Sequence, residues 1–125
     1  MPDPDLTDDH HTLRHEVRQF AENEVAPRVA AMEESRAVEY DLPTLIGKKG
    51  WIAPTVPRKY GGMDAGHVAK TIIDEEISRV SAAMGAAAQA SQLGSAMIIH
   101  FGSEHQKQTW LPQVADGSCL PTIAV

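Results

Sequence analysis

A chain of 125 residues, 42% of them hydrophobic, is long enough for one domain with its own core and too short for two. Its net charge of −6 argues against a nucleic-acid or anionic-membrane partner, because phosphate binding needs a positive surface, although Lys48, Lys49, Arg58 and Lys59 leave room for a local basic patch. The lone cysteine, Cys119, excludes an internal disulfide and a cysteine-built zinc site.

With aromatic residues at only 5%, the core has to be built from Leu, Ile, Val, Met and Ala. No apolar run approaches the roughly 18 residues of a membrane span, and the N-terminus is acidic rather than signal-like. A cytoplasmic location is therefore expected.

Residues 1–6 read as a flexible lead-in, since the X-Pro steps disfavour helix. From Thr7 the pattern becomes helical, with Leu13, Val17, Phe20 and Ala21 recurring at three- and four-residue steps. Pro27 is expected to kink or restart this helix, which then runs to about Ser35. Asp41 is expected to cap a short helix with Pro43 in its first turn, which Gly50 stops. The stretch 51–66, with Pro54, Pro57 and Gly61-Gly62, reads as an ordered irregular loop.

Another helix follows, carrying Val68, Ala69, Ile72, Ile73 and Ile77 on one side. Within it Asp74-Glu75-Glu76 reads as a solvated surface, because the helical period sends the three carboxylates to different faces. The run from Ser81 to Phe101 is nearly uncharged and apolar most of the way round, the pattern of a helix surrounded by other elements. Its first half is Ala, Gly and Ser, and Met97, Ile98, Ile99 and Phe101 in its second half read as core. Gly102 stops it, and Ser103 to Gln106 has the spacing of a capping box for a last helix, interrupted by Pro112 and ending at Asp116-Gly117. Residues 118–125 are rich in strand formers and read as one short β-strand.

Chemistry is scarce. His11 and His15 share a helix face at a four-residue step, but no carboxylate completes a metal motif, and His67, His100 and His105 stand apart. No catalytic residue and no metal site is predicted. The functional candidate is the small-residue face of the helix over 82–96, with Ala86, Ala90 and Leu93. That face either packs closely against another helix or leaves a slot for a flat or linear apolar ligand.

Four segments carry a resemblance: LRHEVRQFAENEVAP, KKGWIAPTVPRKYGG, DEEISRVSAA and FGSEHQKQTWLPQVADG. In order and spacing they resemble the N-terminal domain of the acyl-CoA dehydrogenase family, across residues 13 to 117. The resemblance implies an all-α fold, a bundle of five to six helices over 7–117, followed by the first strand of a β domain at 118–125. It further implies a complete protein of three domains that binds FAD and removes a proton and a hydride from an acyl-CoA thioester.

In that family the glutamate base lies outside a segment such as this one, so the chain alone is expected to be inactive. Ala86, Ala90 and Leu93 would line the acyl-chain slot, and Ile123 and Val125 would lie by the flavin ring. An electron-transfer acceptor and a homo-oligomer are implied partners. The chain stops just before the family's T-E-P-x-x-G-S-D segment, which reads as a truncated form, a proteolytic fragment or a natural short relative. Two other readings remain open: a stand-alone helical module for a partner or an acyl group, and the same domain of a flavin monooxygenase or nitroalkane-oxidase-like protein.

Overall fold

The computed structural model describes residues 5–39 and 41–124. Six α-helices form among the described residues. The first, α1 (Asp8–Phe20), begins at Thr7, whose hydroxyl accepts from the His10 N–H while His10 Nδ1 accepts from the Thr7 N–H at 3.2 Å. This reciprocal cap satisfies two of the amide groups that a helix start leaves unpaired.

Pro27 acts as the sequence predicts. The helix widens into a π-turn at Ala21–Val25, tightens into a 3-10 turn at Ala26–Arg28, and resumes as α2 (Val29–Ser35). Arg36, in the left-handed conformation at φ 52°, ends it. Next comes α3 (Asp41–Lys48), which begins at Asp41 itself, so Asp41 is its first helical residue rather than its cap, and Gly50 closes it at φ 80°.

The loop 51–65 is irregular yet buried at Trp51, Ile52, Ala53, Val56 and Tyr60. Its backbone groups bond within the loop, for example Met63 N–H to the Ala53 carbonyl and Ala65 N–H to the Pro54 carbonyl. That internal pairing lets an irregular segment sit in a core.

The centre of the bundle is α4 (Gly66–Ser78), which packs between α1 and α5 (Ala82–Phe101). Ala69, Ile72, Ile73, Glu76 and Ile77 are its buried positions. Val68, grouped with them by sequence, is 49% exposed, because it falls on the rim of the stripe. The last helix, α6 (Glu104–Ala115), packs against α5, α3 and the 3-10 turn at Arg58–Tyr60. Ser103 and Gln106 form its predicted capping box.

Three expectations are corrected. Pro112 does not interrupt α6, which runs through it. The missing N–H costs one late hydrogen bond, and it falls where the exposed Gln108 carbonyl can turn to water. Residues 118–124 form no strand, because a strand requires a partner and no second extended segment of the described chain pairs with them. Finally, α5 is not surrounded. Met84, Gly85, Ala88, Ser91, Gln92, Gly94 and Ser95 are buried, while Met97 and Phe101, expected in the core, are 54% and 81% exposed.

Candidate functional site

The apolar outer face of α5 follows from its sequence. Ala86, Ala90, Leu93, Met97 and Phe101 recur at steps of four, three, four and four residues, so they share one side of the helix. The opposite side is used up by contacts with α3, α4 and α6. Ala86 is exposed, Ala90 half-buried and Leu93 44% exposed. The stripe begins shallow, where side chains are methyl groups, and deepens toward Met97 and Phe101. At that end a groove of about 340 Å³ is lined by Met97, Ile98, Phe101, Gln106 and Trp110. Exposed apolar side chains in one row along a helix make this the candidate contact or ligand face among the described residues.

The C-terminal segment lies against the same helix. Ser118 Oγ donates to the Gln113 carbonyl, and the Cys119 N–H donates to it at 3.0 Å. Pro121 and Thr122 then pass Gly94 at close range. Ile123 is 43% exposed, and the backbone groups of 120–124 have no hydrogen-bond partner among the described residues. The other position predicted beside a flavin, Val125, lies outside the described residues. Cys119 is half-buried and free.

Titratable groups gather elsewhere. Glu76 is a correction to the solvated-surface reading: its carboxylate is buried where α1 crosses α4. Arg18 donates to it from Nε at 2.9 Å and from Nη2 at 2.8 Å, and Arg79 adds a contact at 3.3 Å. Those hydrogen bonds from Arg18, with the charges of Arg79 and Arg14 behind them, hold Glu76 below the usual carboxylate range.

Asp74 shifts the other way. Burial pushes its carboxyl up, only partly opposed by Lys70 at 3.4 Å. Its Oδ1 and the Oε1 of buried Gln92 are both enclosed without a partner, while Gln92 Nε2 donates to the Trp51 carbonyl. These groups set helix against helix and do not face the α5 stripe.

The basic residues do not pool into one patch. Lys49 lies 6.0 Å from the Trp51 ring centre in a cleft of about 580 Å³ with Phe20 and Asn23. Arg58 lines another cleft with His10 and Asp64, and Lys59 pairs with Glu104. No group of three or more His, Cys, Asp or Glu able to hold a metal ion occurs among the described residues. No helix among them is long and apolar enough to cross a membrane.

The exposure of Met97 and Phe101 was missed by sequence reasoning. The only signal was their four-residue continuation of the Ala86, Ala90, Leu93 series, and an all-round apolar helix hides which of its faces turns outward.

Comparison with known proteins agrees with this geometry. Residues 7–118 match the family model described as "Acyl-CoA dehydrogenase, N-terminal domain". An acyl-CoA dehydrogenase of Bacillus subtilis (strain 168) is 35% identical over 121 residues, 96% of this chain and 32% of that protein. The chain thus spans about a third of that relative's length. A chain solved as an acyl-CoA dehydrogenase complexed with FAD, from Bacillus anthracis, superposes with a TM-score of 0.83 at 30% identity, covering 94% of this chain and 20% of that one. A chain from the structure of the electron transferring flavoprotein of Acidaminococcus fermentans superposes at 0.90 with 28% identity, covering 94% of this chain and 31% of that one. Family model, relatives and helix arrangement agree, and the chain belongs to the acyl-CoA dehydrogenase family of oxidoreductases, contributing its helical N-terminal domain.

Proposed function

We propose that this domain forms one wall of the acyl-chain slot in an FAD-dependent enzyme that dehydrogenates an acyl-CoA thioester between its α and β carbons. The observation that carries the reading is the outward stripe Ala86, Ala90 and Leu93, apolar, shallow and continuous with Met97 and Phe101. A methylene chain laid along such a strip loses contact with water, which stabilises it by about 0.8 kcal/mol per buried methylene.

FAD, when bound, supplies the hydride acceptor. The residues of this chain do simpler work: the stripe orients the acyl chain and excludes water, and Ile123 with its unpaired neighbouring backbone borders the ring. The described residues offer no candidate for the proton-abstracting base, so the 125-residue chain by itself is proposed to be inactive. An electron-transferring flavoprotein is the proposed acceptor, in keeping with the Acidaminococcus neighbour, and the complete protein is proposed to be a homo-oligomer.

The test is substrate preference in the complete enzyme. Ala90→Phe adds a ring in the middle of the slot wall, and the preferred acyl chain should shorten, with kcat/KM for the longer substrates falling about tenfold or more. An unchanged chain-length profile would remove Ala90 from the slot. Failure of the complete wild-type protein to bind FAD and to be reduced by any acyl-CoA would sink the reading itself.

A further inference from the structure

The segment after α6 passes α5 at close range at Gly94. Its start is pinned by the two hydrogen bonds to the Gln113 carbonyl, and past Cys119 no hydrogen bond among the described residues holds it. Shape holds it instead. A Cβ built on Gly94 would stand 2.8 Å from the carbonyl carbon of Pro121, 2.9 Å from Pro121 Cβ and 2.9 Å from the Thr122 nitrogen.

Gly94 is not one of the glycines with positive φ, so backbone freedom does not explain it. Glycine inside a helix is disfavoured relative to alanine, and here the space explains it. The contact falls one residue past Leu93 in the α5 stripe and two residues before Ile123.

We infer that Gly94 is a positioning residue: by having no side chain it sets the separation between the acyl-slot face of α5 and the segment that borders the flavin. This rests on the functional reading above and deepens it. A methyl group at Gly94 must push the segment away by about 0.6 Å to reach ordinary contact at 3.4 Å. Displacements of that order between reacting groups cost up to about a hundredfold in rate.

The experiment uses the complete, FAD-loaded protein. Gly94→Ala is compared with Gly85→Ala, which crowds Ser78 on the α4 side of the same helix and leaves residues 119–124 untouched. Gly94→Ala should lower kcat about tenfold to a hundredfold, leave KM for the acyl-CoA within about twofold, and shift the flavin absorbance band. Gly85→Ala should lower Tm and leave kcat and the flavin spectrum within error of wild type.

Equal effects of the two variants on kcat, or an unshifted flavin band in Gly94→Ala, would overturn the inference. Should Gly94→Ala fail to fold, Pro121→Gly loosens the same contact from the segment's side without touching α5. It should release FAD at least about fivefold faster on dilution, and a release rate equal to wild type would overturn the inference as well. A wild-type protein that neither holds FAD nor accepts electrons from an acyl-CoA would instead overturn the functional reading on which it stands.

Discussion

Two carboxylates two residues apart in sequence, Asp74 and Glu76, behave in opposite ways, and the reason is local. Glu76 is enclosed by arginine donors, so its folded state prefers the charge. A carboxyl whose folded pKa is depressed contributes stability above its unfolded value, about 4.3, and loses it as pH falls through the lower folded value. Glu76→Gln should therefore cost about 2 kcal/mol at pH 7, the worth of a charged hydrogen-bond pair, and flatten the acid limb of a Tm-versus-pH curve. For Asp74 the sign reverses. Burial raises its folded pKa, so the charged form weakens the fold at neutral pH, and stability recovers as pH falls from the raised value toward the ordinary 3.9 or so. Asp74→Asn should gain about 0.5 kcal/mol at pH 7 by chemical denaturation, since it removes a buried charge whose desolvation outweighs its i,i+4 pair with Lys70. A loss of stability in that variant would mean the Lys70 pair outweighs desolvation.

At the scale of elements, most of the helices were legible in the residues that start and stop them. Ser103 and Gln106 announced α6, Gly50 and Gly102 announced two ends, and Pro27 announced the break between α1 and α2. What the elements touch was less legible. Gly47 of α3 meets Gly117, just past α6, so closely that a Cβ on Gly47 would stand 2.8 Å from the Gly117 Cα. Those two glycines lie 70 positions apart, and nothing in either neighbourhood names the other. Gly47→Ala should cost about 2 kcal/mol through overpacking, read as a lower Tm with unchanged helix content by circular dichroism. Glu76 shows the same limit. The helical period correctly separates Asp74, Glu75 and Glu76 onto different faces, but only the crossing of α1 decides that one of those faces is buried.

At the scale of the whole chain, the outer face of α5 and α6 gathers four of the exposed large apolar side chains among the described residues. Leu93, Met97, Phe101 and Trp110 are 44%, 54%, 81% and 46% exposed. An apolar area of this kind drives association when nothing covers it. The 125-residue chain should therefore associate in a concentration-dependent way by sedimentation velocity, and the double variant Met97→Glu with Phe101→Glu should stay monomeric without a lower Tm. If the double variant associates as strongly as wild type, another surface is responsible.

Taken alone, the residues determined the periodic helices, the capping box at Ser103 and Gln106, the irregular loop and the family, because propensity, capping and motif spacing act over a few neighbouring positions. Ala86, Ala90 and Leu93 were identified as one small-residue face for the same reason. Tertiary structure alone decided that this face turns outward, that Met97 and Phe101 extend it, that Glu76 is buried, and that residues 120–124 run past Gly94 without a backbone hydrogen bond among the described residues. Each of those outcomes depends on which elements meet across the bundle. A helix apolar on every side carries no local mark of the side its neighbours will take, and a strand-forming segment becomes a strand only beside a partner.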